Sequence, residues 1–382
     1  MLKGLLKNYL YPIATLSGSI IGVGFLSLPY IAVKVGIWPM LFYFVVLTIF
    51  IVSLHLMFAA VSLKTPDFKR FPGFVGYYFG KPAEIFNLVM MIFGLLGTLL
   101  VYLLVGSEFL MAIFSPVLGG SIFVYVVAYF LAGSIIIYFG IKVISRIEFW
   151  MLCLLLISLG LVFIKGFSEI TLSNIFISNL KFDLPAGRLG ISNLFLPYGA
   201  IMFSLWGAGL IPEVEEMVRG RKKSLKKIII IGTLIPAVIY LLFIFLVAGI
   251  TGADTTPSAL IGLKNFFGGQ PIALLVLSIG VLTTFTAFLA QGILLKKMFM
   301  YDMGFKHHLA WALTCLVPLG LFILGFNSFI LLISFIGGVF LGVNGIFILF
   351  MYGKIGGSKK VIYPLVIFFI LGIIYEIVYF VK

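Results

Sequence analysis

The sequence predicts an all-α polytopic membrane protein with eleven transmembrane helices, ten of them forming two inverted halves of five, and with helices 1 and 6 broken. Three observations carry this expectation. The first is composition: of 382 residues, 63% are hydrophobic and only 10% charged, and mean hydropathy is +1.26, whereas soluble domains run near one-quarter charged. The second is the recurrence of apolar runs about twenty residues long, the length of a membrane-crossing helix; barrel strands would alternate polar and apolar over about ten. The third is a pair of apolar segments interrupted in their middles by glycine, serine and proline.

Eleven spans are expected, at about 11–34, 36–63, 83–114, 121–141, 147–165, 191–218, 228–250, 271–300, 308–325, 328–352 and 361–381. The seams between them carry turn chemistry: Gly36 to Pro39, Thr65-Pro66, Phe71-Pro72-Gly73, Ser115-Pro116, Gly119-Gly120, Gly268-Gly269 and Gly356-Gly357. The two longest connections on the second side, 166–190 and 251–270, contain apolar residues (Ile175, Phe176, Ile177; Ala259, Leu260, Ile261) and are expected to carry short helices. Spans 1–5 (residues 1–165) and 6–10 (191–352) make the two halves, joined by the 166–190 loop, with 353–382 an added eleventh helix.

The basic residues set the orientation. Of 26 Lys and Arg, only Lys34, Lys165, Lys181, Arg188, Lys264 and Lys382 fall on one side; the other twenty fall on the side of the N-terminus. Positive charge collects on the cytoplasmic face, so the N-terminus is expected inside and the C-terminus outside, in a cell membrane. The net charge of +14 is distributed from loop to loop and forms no single basic face, which excludes nucleic acid as a partner. Lys3 and Lys7 before an apolar run mimic a signal peptide, but the run is too long and lacks a small-residue cleavage site, so it is kept as a span.

The organising stretch is Gly18-Ser19-Ile20-Ile21-Gly22-Val23-Gly24-Phe25-Leu26-Ser27-Leu28-Pro29. Glycine costs about 1 kcal/mol against alanine in a helix, and non-helical backbone at membrane depth survives only where protein or an aqueous cavity satisfies it. Span 6 repeats the pattern in Pro197-Tyr198-Gly199 and Phe203-Ser204-Leu205-Trp206-Gly207-Ala208-Gly209, ending at Pro212. Two interrupted segments at matching positions of opposed halves mark a midplane binding site in secondary transporters. Close helix packing through small residues is the competing account of either stretch alone.

Gly18 through Tyr30, followed by Gly36, resembles the first-helix signature of the amino acid/auxin permeases and aromatic amino-acid permeases, members of the amino acid–polyamine–organocation superfamily. The resemblance covers the whole chain in span number and loop length, and implies a LeuT-like fold and sodium- or proton-coupled symport of an amino acid by alternating access. The substrate carboxylate is then expected on the N–H groups of Gly22, Val23 and Gly24, at the positive end of a half-helix. The carbonyls of Ser19, Ile20, Phe203 and Ser204 are the expected ammonium acceptors. Gly24 and Gly207 are expected to leave room for the side chain, and Phe203 and Trp206 to wall it.

The resemblance also implies a sodium site: carbonyls of Gly18, Ile21 and Gly280 with the hydroxyls of Thr283 and Thr284, five neutral oxygens suited to a hard monovalent cation that must also leave. Adjacent threonines in an apolar helix otherwise back-bond to the preceding turn. Proton-coupled relatives place a lysine on helix 5; here Ile147 to Ile164 contains none. Phe25 stands where a second sodium site would need asparagine, so one sodium is expected. Glu108 and Glu376 are ionisable at membrane depth; both lie toward the outer ends of their spans, where a wetted carboxylate is the plain reading, and Glu108 is the candidate if a proton couples. A neutral amino-acid substrate, no cofactor beyond sodium, and a monomer or weak oligomer in the bilayer complete the expectation. Cys153 and Cys315 read as buried apolar residues, and His55, His307 and His308 lack metal-ligand spacing.

Overall fold

The structure, a computed structural model, describes residues 9–66, 69–140, 144–176, 195–218, 222–268 and 271–381. Every regular element among the described residues is helical. Each of the eleven expected segments falls on one helix or on consecutive helical pieces. Seven are long and apolar enough to cross a membrane, and the first is a pair of pieces bent by 48° that passes the same test together. The other three are span 5 (Ile144–Gly166), the two short pieces of span 6, and span 9 (His307–Ile323). The start of span 6 at 191–194 and the loop residues 177–190, Ile177 included, lie outside the described residues, as do Lys3, Lys7, Lys142, Lys181, Arg188, Arg219, Arg221 and Lys382 of the charge count.

Two turns are as tight as a chain allows. Span 1 ends at Val35 and span 2 (Ile37–Lys64) begins at Ile37, so Gly36 alone reverses the chain, at φ 88°. Gly80 does the same at φ 85° between a short helix, Phe71–Phe79, and span 3 (Lys81–Leu118). Only glycine reaches that backbone region without cost.

The turn expected at Phe71-Pro72-Gly73 is that short helix: Pro72 sits in its first turn, where its missing N–H is not needed. No seam falls at Ser115-Pro116, because span 3 runs through Pro116 and closes at the other seam expected there, Gly119-Gly120, with the Gly119 N–H on the Ser115 carbonyl at 2.9 Å. The outer connections carry the short helices Leu172–Ile175 and Leu260–Phe267.

The spans sort into two packed groups. Spans 1, 2, 6 and 7 pack on one another, and span 6 also lies against span 10; span 8 (Pro271–Lys297) lies along spans 3, 4, 5 and 9. Leu, Ile, Val and Phe side chains fill both groups, while others such as Trp38, Ile49, Phe93 and Ile367 face outward as a lipid-exposed surface must. Span 10 (Phe329–Phe335 and Leu341–Lys354) is wound as a π-helix over Ile336–Phe340, a feature that recurs at functional sites.

Candidate functional site

The site is built from the two breaks. Tyr11–Ile20 ends with the Ile21 N–H on the Ser17 carbonyl at 3.0 Å. Ile21 and Gly22 are extended, Val23–Ser27 forms a tight 3-10 turn, and Leu28–Val35 resumes the α-helix with Pro29 in its first turn. In span 6, Leu196–Leu205 stops at Trp206, which is extended, and the chain re-enters helix through Ala208–Leu210 into Ile211–Met217. Each interruption leaves N–H and C=O groups without an intrahelical partner.

The breaks meet. A Cβ on Gly24 would stand 2.6 Å from the Phe203 ring and 2.8 Å from the Ser204 hydroxyl, and one on Gly207 would stand 2.7 Å from Ile20. Gly24 and Gly207 thus lie where the two spans touch, and both also face the cavity beside the junction. Tyr240 of span 7 (Lys222–Thr251) ties the two, its hydroxyl lying 2.8 Å from the Ile20 carbonyl and 3.2 Å from the Ser204 carbonyl. Its ring stacks on Phe25 at 5.1 Å. His55 of span 2 holds the second break from behind: the Gly207 N–H donates to its Nε2 at 3.2 Å, and its Nδ1 lies 3.1 Å from the Thr233 hydroxyl. A nitrogen that accepts leaves the other as donor, so His55 is neutral here with its hydrogen on Nδ1.

A cavity of about 1100 Å³ opens beside this junction, and all nine residues expected to bind substrate, from Ser19 to Gly207, line it. Its far wall comes from Leu88 to Tyr102 on span 3, and from Gln291, Ile336, Phe340 and Asn344 on spans 8 and 10. The Tyr102 hydroxyl stands over Gly22, 3.2 Å from where a Cβ would be. The mouth lies at the lysine-rich end, where Lys69, Arg70, Tyr301 and Asp302 line it and Arg70 pairs with Asp302 at 3.3 Å.

The sequence profile of the tryptophan/tyrosine permease family matches residues 7–354. The chain belongs to that family. It is a transporter and not an enzyme, and it is a membrane protein. No curated protein matches it by sequence. Among solved structures, Mhp1, a nucleobase-cation-symport-1 family transporter, is similar in its inward-facing conformation at TM-score 0.65 and 13% identity over 97% of this chain and 88% of that one. Mhp1 closed around bromovinylhydantoin gives 0.64 at 13%, over 96% and 89%. MhsT in complex with L-phenylalanine gives 0.58 at 13%, over 97% and 98%. The fold of the permease is therefore LeuT-like.

The residues expected to hold sodium lie on elements of different packed groups in the permease. Tyr11–Ile20, which carries Gly18, packs on span 7 and the second piece of span 6, whereas span 8 packs on the other group. Thr283 and Thr284 donate to the carbonyls of Ile279 and Gly280 at 2.8 and 2.9 Å, the back-bonding that threonines adopt in apolar helices. Gly280 abuts Leu260 and Phe109. Glu108 is half-buried beside Ser258, away from the cavity lining. Glu376 is not the wetted carboxylate its place near a span end suggested: it is 1% exposed, because span 11 (Lys359–Val381) turns it inward onto spans 6 and 10. Tyr240, His55 and Tyr102 were not singled out by sequence as residues of this site.

Proposed function

We propose that this permease is a secondary active transporter that carries a neutral amino acid, tryptophan or tyrosine as its family name implies, across the cell membrane by alternating access. The observation that carries this reading is the junction itself. Two interrupted helices bring N–H and C=O groups that lack an intrahelical partner to one cavity, the kinds of donor and acceptor a zwitterion needs. The carboxylate is read onto the Gly22–Gly24 backbone with the Tyr102 hydroxyl above it, the ammonium onto the carbonyls of Ser19 and Phe203 and the free lone pairs of Ile20 and Ser204. The ring is read into the wall formed by Phe203, Ile336 and Phe340. With the lysine-rich end taken as cytoplasmic, the cavity opens inward.

Sodium symport is proposed through Gly18, Ile21, Gly280, Thr283 and Thr284, the cation binding once span 1 closes on span 8. Proton coupling is the second reading, favoured by the buried, neutral His55 on the Gly207 N–H. Both are tested by uptake of tryptophan and tyrosine into proteoliposomes, with an inward sodium gradient in one arm and a proton gradient in the other. Uptake that follows sodium and is lost in Thr283→Ala supports the first reading; uptake that follows only the proton gradient overturns it. No uptake of either amino acid in either arm sinks the transport reading.

A further inference from the structure

Behind the cavity, on the side away from substrate, spans 6, 10 and 11 meet at a cluster of buried oxygens that no hydrogen bond accounts for. Glu376 Oε1, the Tyr198 hydroxyl and the Ser334 hydroxyl are each fully enclosed and unpartnered. The Glu376 carboxyl faces the Gly199 backbone, in the first turn of Leu196–Leu205. The titratable groups around it are Tyr198 of span 6 and Tyr375 and Tyr379 of its own span; span 10 brings Ser334 and glycine. Among the described residues the ion pairs are Arg70–Asp302 and Lys81–Glu84, so no cation is paired with Glu376.

A carboxylate enclosed in this way without a cation is among the costliest groups a membrane protein can hold. Oε1 and the Ser334 carbonyl oxygen both crowd the place where a Cβ on Gly199 would stand, so a second acceptor stands on that side of the carboxyl. The space selects which cation relieves this. A Cβ at Gly199, Gly338 or Gly372 would collide with Ser334, Glu376 or Tyr198, so the junction cannot admit even a methyl group. A metal ion needs a shell of several oxygens; a proton needs none.

The carboxyl also touches the back of both walls of the cavity. Gly199 lies one helical turn before Phe203, and Gly337 of the π-helical turn packs on the Gly199 carbonyl, so closely that a Cβ added to it would stand 2.8 Å from the Phe203 nitrogen. Ile336 and Phe340, the two ends of that turn, line the cavity. We propose that Glu376 is a proton-binding site whose occupancy sets the packing of span 6 against span 10, and through Phe203, Ile336 and Phe340 the affinity of the substrate cavity. Loss of the proton forces a charge into the junction and drives Leu196–Leu205 off the π-helical turn.

This inference rests on the transport reading for its substrate, so its test has one arm that needs none. The purified full chain is compared with Glu376→Gln across acidic to alkaline pH, by equilibrium binding of L-tryptophan and by thermal unfolding without substrate. Tryptophan affinity of the natural chain is expected to fall about fivefold or more as pH rises, while Glu376→Gln, fixed in the neutral form, binds with one affinity throughout. A group that holds its proton in the fold and sheds it when unfolded loses stability as pH rises. The unfolding midpoint of Glu376→Gln should therefore gain on the natural chain with pH. A Gln variant that keeps the natural pH dependence of binding, or a midpoint gap that does not change with pH, overturns the proposal. If tryptophan fails to bind, the substrate reading fails and the unfolding arm still decides. If Glu376→Gln does not fold, Glu376→Asp keeps the acid at shorter reach: a shifted pH dependence supports the site and no pH dependence overturns it.

Discussion

A tyrosine hydroxyl carries one hydrogen, yet that of Tyr240 serves two carbonyls, Ile20 and Ser204, one from each interrupted helix. It therefore stands where two breaks leave acceptors unpaired, and it holds them without any ion. Tyr240→Phe keeps the ring and its stack on Phe25 and removes only the hydroxyl. The expected cost is about 1–3 kcal/mol of stability, the penalty of a buried acceptor left unpaired, read by thermal unfolding in detergent, together with weaker tryptophan binding. Tyr240→Leu should cost more, since the aromatic stack goes as well. A Phe variant as stable as the natural chain, binding equally well, would show that the hydroxyl does not tie the breaks. The breaks themselves were legible in the sequence because glycine, serine and proline have no other business in the middle of an apolar run. Tyr240, His55 and Tyr102 were not, since what singles them out is the partner met across the bundle, and sequence spacing carries no trace of it. Gly24 and Gly207 show the intermediate case: their smallness was legible, and the side chains across the junction that press on them were not.

At the level of whole helices, apolar length is a property of composition, and each expected segment is helical in the structure. The misreadings sit at prolines. Proline both opens and ends helices, and only the hydrogen bond it forgoes tells which; Pro72 opens Phe71–Phe79, and Pro116 is carried inside the last turn of span 3. Lysines were legible as topology markers, but one of them also ends a helix. Lys296, 6% exposed, reaches from span 8 to the carbonyls of Ile137 and Tyr138, the latter at 2.9 Å, in the last turn of Ile122–Phe139. A cation there meets both the unpaired carbonyls and the negative end of the helix dipole. Lys296→Met keeps the buried stem and removes the donors. It is expected to cost about 1–2 kcal/mol, with faster amide exchange confined to the end of span 4 near residues 136–139. Exchange unchanged at that end would mean that water or lipid headgroups already satisfy those carbonyls.

Across the whole molecule, the cavity opens at one end and the residues proposed to bind sodium lie in both packed groups, Gly18 and Ile21 in one, Gly280, Thr283 and Thr284 in the other. A cation that bridges the groups binds only a conformation in which they approach, and a ligand shifts an equilibrium by its difference in affinity between states. Sodium is thus expected to close the mouth seen here. A cysteine placed at Leu88, on the cavity wall, with Cys153 and Cys315 replaced by serine, should react readily with a water-soluble thiol reagent in potassium medium and about tenfold more slowly in saturating sodium, a shift of about 1.4 kcal/mol. Thr284→Ala in that background should abolish the protection, because it removes one of the two side-chain hydroxyls among the five proposed ligands. Protection that survives Thr284→Ala would place the cation elsewhere, and equal reactivity in sodium and potassium would leave the proton at Glu376 as the ion that sets the conformation.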